Sequence, residues 1–179
     1  IDRKKKLPIT TFLYAMGMSR QNILEKFYTY DSYQFDTTNK TWSTDFKPEK
    51  YKRPIKLLFD LIDKKNNKKI LKKGEKLNFI LAQKLKEKNL EKIIVSEAEI
   101  INKYTNEDLK DSEGKLILNS GFNITKDALD KIVSSKISKL KLANVDSILK
   151  GPYIFETIKV DKNFDKQTAL NDIYKVLRP

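Results

Sequence analysis

Apolar positions follow two rhythms along the chain, a helical one near both ends and a strand-like one between them. Residues 8–28 predict two short helices. Pro8 suits the first helical position, and Ile9, Phe12, Leu13 and Met16 follow at helical spacing. Gly17 ends that helix, because glycine tolerates positive φ. Ser19 then offers an N-cap oxygen to a second helix, whose stripe is Ile23, Leu24 and Phe27. The outline resembles a DNA-reading helix-turn-helix. The second helix, Arg20 to Tyr28, is short and offers few base-reading side chains, which argues against that use.

From Tyr28 the period changes to two. Tyr28, Tyr30, Tyr33 and Phe35 alternate with polar residues, residues 36–40 turn the chain, and Trp42 and Phe46 follow, so a β-hairpin is predicted. Pro48 and Pro54 bracket a connector. Residues 55–62 read as one buried strand, with a turn at 64–68 and a break at Gly74. A helix is predicted from Phe79 to Asn89 and a short strand over 92–95. Residues 98–110 fit neither period. Residues 116–118 predict a strand, Thr125 caps a helix through Leu129, Ile132 and Val133, and Ile137 to Leu142 predicts another strand. After Gly151-Pro152, residues 157–160 read as a strand. Asp165 to Leu177 closes as a helix with Ala169, Leu170, Ile173, Tyr174 and Leu177 on one face. The fold class is therefore α+β: short helices at both ends, and a strand-rich α+β module inserted between them.

Composition narrows the chemistry. The 179 residues suit one domain, or one domain carrying an insertion. With 39% hydrophobic residues the chain has material for a core. Cysteine and histidine are both absent, which removes disulfides, thiolate nucleophiles, histidine bases and the usual zinc sites. No apolar run approaches a membrane span, and no secretory h-region follows the first residues, so a cytoplasmic address is allowed. The chain starts with Ile and stops at Arg178-Pro179, which predicts a piece of a larger polypeptide.

The net charge of +13 invites a polyanion, with nucleic acid first in line. Against this, only four of the 37 basic residues are arginine: Arg3, Arg20, Arg53 and Arg178. Dedicated nucleic-acid sites favour the arginine fork. An excess carried by lysine and spread along the chain reads equally as coding bias and a solvated surface.

Motifs for catalysis are thin. The five glycines never form a phosphate loop, and Ser135 and Ser138 have only lysines nearby as bases. Glu97 with Glu99, and Glu107 with Asp108 and Asp111, are candidate cation ligands that read better as surface charge. The densest basic run is Arg3-Lys4-Lys5-Lys6, which suits phosphates or a solvated leader. Trp42 and the tyrosines suit base stacking less well than the packed face of a hairpin.

Both ends resemble a known family. Residues 1–10, IDRKKKLPIT, resemble the IDRRRKLPAT segment of the bacterial RNA polymerase β subunit, and Ser19 to Phe27 fits the S/T-x-x-x-I-L-x-x-F helix that follows it. Residues 151–158, GPYIFETI, resemble the family's GPYISETL, and residues 172–179, DIYKVLRP, resemble EIYRMMRP. Between them the resemblance is weaker but collinear, with DSEGKLI matching DESTGELI.

The resemblance implies that residues 1–28 and 148–179 form part of the β lobe, with 29–147 as its inserted module. In the family the lobe walls the DNA cleft and faces downstream duplex and the non-template strand. The family's partners are DNA, the α, β′ and ω subunits and a σ factor, and its insertion docks regulators. The resemblance also implies a cytoplasmic, nucleoid-associated parent enzyme, a DNA-directed nucleotidyltransferase. Its Mg²⁺ is held by β′, so this piece carries no catalytic residue, metal site or cofactor. DNA contact carries over to Asp2, Arg3 and Arg178. Lys4 and Lys5 stand where the family has arginine, keeping the charge and losing the fork. The alternative is a stand-alone basic module that binds nucleic acid or another protein.

Overall fold

The structure, a computed structural model, describes residues 6–145 and 151–178. The chain opens with α1 (Ile9–Ala15) and α2 (Arg20–Phe27). Strands β1 (Tyr30–Asp36) and β2 (Thr41–Asp45) form the predicted hairpin, and a 3-10 turn follows at Pro48–Tyr51. Short strands β3 (Ile55–Lys56), β4 (Leu61–Asp63), β5 (Lys69–Leu71) and β6 (Lys76–Leu77) lead to α3 (Phe79–Glu87). Then come β7 (Lys92–Val95), the single-turn α4 (Glu97–Ile100), β8 (Leu109–Lys110), β9 (Leu116–Leu118), α5 (Lys126–Ser134) and β10 (Lys139–Ala143). Helices α6 (Tyr153–Val160) and α7 (Lys166–Leu177) end the described chain.

Six strands form one antiparallel sheet in the order β10-β1-β2-β7-β4-β5. Two small ribbons, β3-β6 and β8-β9, stand outside it. Apolar residues gather in three clusters. One lies between the sheet and α4 and α5, around Tyr33, Trp42, Ile100, Leu129, Ile132 and Leu140. A second joins Phe46, Leu61, Leu77 and Ala82 of α3. The third belongs mainly to the end helices, through Tyr14, Ile23, Leu24, Phe155, Ile158 and Ala169. The aromatic rhythm of the hairpin serves the first cluster: Tyr33 lies opposite Leu140, and Phe35 opposite Trp42. That is the period-two packing expected of a half-buried strand.

Two predicted strands take other forms. Residues 55–62 are not continuous. Leu57 and Leu61 are buried while Leu58 lies exposed, and a bend at residues 58–59 parts the two short strands β3 and β4. The chain crosses from the small β3-β6 ribbon into the large sheet, and Gly74, with φ of 88°, lets its N–H donate to the Leu57 carbonyl at 2.8 Å. Residues 157–160 belong to α6. Ile158 and Val160 are β-branched and favour strands locally. Burial of Phe155 and Ile158, three positions apart, against α2 and α1 decides for the helix instead.

Most of the stripe predicted on α1 also faces the other way, Leu13 alone of its four residues packing against the end-helix cluster. Pro8 is its N-cap, and Thr10, Thr11 and Tyr14 are the buried residues. Ile9, Phe12 and Met16 point outward, Met16 being 69% exposed. The shorter adjustments are ordinary end effects: α3 stops at Glu87, and β10 runs from Lys139 to Ala143.

The most deeply buried charge of the sheet is Asp31. Asp31 shares the core face of β1 with Tyr33, opposite Leu142, and is 2% exposed. Lys47 donates to its Oδ1 at 3.0 Å, and Lys50 closes over Oδ2. Burial pushes this carboxyl up, and the two ammonium groups outweigh that, holding it below the usual carboxylate range. A depressed folded-state value gives stability that is present above the unfolded value of about 4 and lost as pH falls through the folded one. Asp31→Asn is therefore expected to flatten the acid limb of a melting-temperature profile below about pH 4. Parallel acid limbs for the two proteins would refute this.

Candidate nucleic-acid interface

The site residues expected from sequence fall at the chain ends. Asp2, Arg3, Lys4 and Lys5 lie outside the described residues. Arg178 is described, and its position follows from α7. Asp165 caps that helix, its Oδ1 accepting from the Thr168 N–H at 2.8 Å. Ala169 is fully buried and seats the helix in the end-helix cluster. This orientation turns Leu170, Tyr174 and Leu177, at four- and three-residue steps, toward solvent. Arg178 is the C-cap, its N–H donating to the Tyr174 carbonyl at 2.9 Å. Its guanidinium carbon lies 5.8 Å from the centre of the Tyr174 ring. A cation over a ring that is itself 60% exposed forms a flat, positively charged step at the end of the helix.

A polar network locks the helices that carry this step. Asp161, just after α6, accepts hydrogen bonds from the hydroxyls of Thr10 and Thr11 on α1. It also accepts from the Asn163 N–H at 2.9 Å and from Asn163 Nδ2 at 3.2 Å. Asn163 Nδ2 reaches Asp172 of α7 at 3.1 Å. Thr10 and Thr11 are fully buried, so these bonds satisfy groups that water cannot reach. The network thus fixes α1, the α6–α7 turn and α7 to one another.

An aromatic stack ties the same helices to the central module. Phe155 lies between Tyr28 and Tyr104, with ring centres 4.3 Å away on each side. Tyr28 Oη donates to the Gly151 carbonyl at 2.7 Å, and Tyr104 Oη donates to Glu156 at 2.8 Å. Burial and the Glu156 carboxylate push the Tyr104 hydroxyl up to about 12. Gly121 adds a close approach: at φ of 83°, a β-carbon there would sit 3.4 Å from Leu24. Sequence reading missed this joint, because residues 98–110 carry no clear period.

The candidate catalytic clusters have structural jobs. Glu99 completes a capping box with Ser96. Asp108 accepts from the Ser120 N–H at 2.7 Å, and Asp111 accepts from the N–H groups of Glu113 and Lys115. Among the described residues no group of three or more carboxylates is placed to hold a metal ion. Trp42 is 1% exposed in the core, which leaves it no face for a base. Among the described residues no helix is long and apolar enough to cross a membrane.

No protein-family model matches the chain. Curated proteins do, from end to end. The DNA-directed RNA polymerase subunit beta of Rickettsia canadensis is 38% identical over 180 residues, taking in all of this chain. That of Rickettsia prowazekii is 39% identical over 184 residues, and that of Ehrlichia canis 36% identical over 179. The chain belongs to the RNA polymerase β-subunit family. It spans 13% of the length of these relatives. The match also covers residues 29–147, where the resemblance read from motifs was weakest.

Proposed function

We propose that this β-subunit segment is a non-catalytic wall of the polymerase DNA cleft, with its end helices forming lobe structure and contacting melted DNA. The observation that carries the reading is the end-to-end match to β subunits, which keeps the motif-bearing ends in register. Geometry adds support at Arg178. A melted strand offers phosphates and unstacked bases, and an exposed guanidinium beside an exposed ring suits both. Asp2, Arg3, Lys4 and Lys5 are the companion contacts in this reading. The parent enzyme is a nucleotidyltransferase whose Mg²⁺ sits on β′, and it works in the cytoplasm on nucleoid DNA. The outward apolar residues of α1 and α7 fit burial against other parts of β or against the α, β′, ω and σ partners, since a patch of this kind is costly to leave in water. Regulators dock on the central module.

The test is a polymerase reconstituted with full-length β carrying Arg178→Ala. Deleting a side chain that both stacks and meets a phosphate costs about 1–2 kcal/mol, so open promoter complexes are expected to dissociate roughly tenfold faster. Arg178→Lys restores phosphate attraction and only part of the lifetime. An unchanged lifetime for the alanine variant would remove Arg178 from the interface.

A further inference from the structure

An open cleft lies at the mouth of the hairpin, away from α7. It is lined by the Asp31 carboxylate with Lys47 and Lys50 closed over it, and by Lys52, Arg53 and Lys103. At about 720 Å³ it is in the size range of ligand sites, roughly 300–1,000 Å³. It is a groove open to solvent, and Ile55 and Val145, both partly exposed, supply apolar wall.

The charges divide into two sets. Lys47 and Lys50 are committed to Asp31, which cancels the buried anion of this cleft. Lys52, Arg53 and Lys103 make no ion pair among the described residues, and the remaining carboxylate of the rim, Glu49, does not offset them. Lys103 is half-buried, its ammonium 5.4 Å from the centre of the Tyr33 ring, so its position is set before any ligand arrives. Lys52 and Arg53 follow directly on the 3-10 turn, between Pro48 and Pro54, which limits how far they swing. Arg53 is one of only four arginines in a chain that otherwise uses lysine. Its fork suits the paired oxygens of a phosphate.

We propose that this cleft is a second nucleic-acid contact of the segment, in which Lys52, Arg53 and Lys103 hold successive backbone phosphates of a DNA strand while Ile55 and Val145 lie against its sugars. An open groove passes a continuing strand, where an enclosed pocket would take a free nucleotide. The three cations line one cleft, as needed to hold a polyanion, and the cancelled Asp31 does not repel it. The proposal rests on the DNA-cleft reading above, and extends it from the end helices to the central module.

The experiment uses polymerase reconstituted with full-length β and measures promoter-DNA affinity against salt. Each phosphate that is no longer neutralised lowers the salt slope by about 0.9 on duplex and about 0.7 on single strands. The double variant Lys52→Gln/Arg53→Gln, both exposed and free of the core, is expected to lower the slope by about 1.4–1.8. Arg53→Lys alone is expected to keep nearly the whole slope. A control pair elsewhere on the module, Lys40→Gln/Lys68→Gln, is expected to leave it unchanged. A photo-crosslinking residue at position 52 is expected to label DNA. An unchanged slope, a control pair with an equal effect, or crosslinking only to protein overturns the proposal. If the Arg178→Ala enzyme is defective while the cleft variant is not, the cleft fails and the broader reading stands. If neither variant changes DNA binding, both fail.

Discussion

Phe155→Ala is expected to lower the folding free energy of the chain by about 3–5 kcal/mol, the usual cost of deleting a fully buried phenyl ring. The position makes the upper half of that range the expected one. Phe155 is the middle layer of a three-ring stack, so truncation removes two aromatic contacts together with the area it buries. It also opens a gap between Tyr28 of the first helical stretch and Tyr104 of the central module, and neither ring can close it without breaking its own hydrogen bond to Gly151 or Glu156. Chemical denaturation of wild type and variant measures this directly. Tyr104→Phe, which keeps the ring and removes only the hydroxyl, is the comparison and should cost about 1 kcal/mol. A Phe155→Ala effect no larger than that would mean the stack contributes little.

Asp161→Ala comes next in size, at about 2–4 kcal/mol. The side chain accepts from two threonine hydroxyls that are both fully inaccessible to water, and its removal leaves them without acceptors at about 1–3 kcal/mol each. Asn163 loses one partner and keeps Asp172. A second measurement separates this from a simple packing defect. Combining Asp161→Ala with Thr10→Val and Thr11→Val replaces the orphaned hydroxyls by methyl groups and should recover part of the stability. If the triple variant is less stable than Asp161→Ala alone, the hydrogen-bond account is wrong.

Much of the fold was legible because its local signals agree with its packing. Ser19 and Thr125 each cap the helix they were expected to cap, and the last helix starts where it was expected to, at Asp165. Of the aromatic alternation, Tyr33 and Phe35 took the core face of β1, while Tyr28 and Tyr30 packed among the end helices. Failure came where burial overrode local preference. The β-branched residues 157–160 promised a strand, and contact with α2 and α1 made them helical. The apolar stripe of α1 was real, but a polar network claimed much of the inner face and left Ile9, Phe12 and Met16 outside. Hydrophobic spacing identifies a helix without saying which of its faces the rest of the chain will cover. The same limit applied to function. Family likeness pointed to the ends, whereas the cation-rich cleft is assembled from residues 31, 47–53 and 103, and only folding brings these together.

The way the central module is attached bears on how such chains diversify. Its first strand and its last are direct neighbours: Tyr30 pairs with Ala143, and the Asn144 N–H donates to the Thr29 carbonyl at 2.8 Å. Entry and exit therefore sit side by side, like the two cut edges of a cassette. Lengthening, trimming or replacing what lies between them leaves the gap that the flanking helices must bridge almost unchanged. Variation between these two strands comes at little geometric cost to the end helices, provided that a ring still stacks on Phe155.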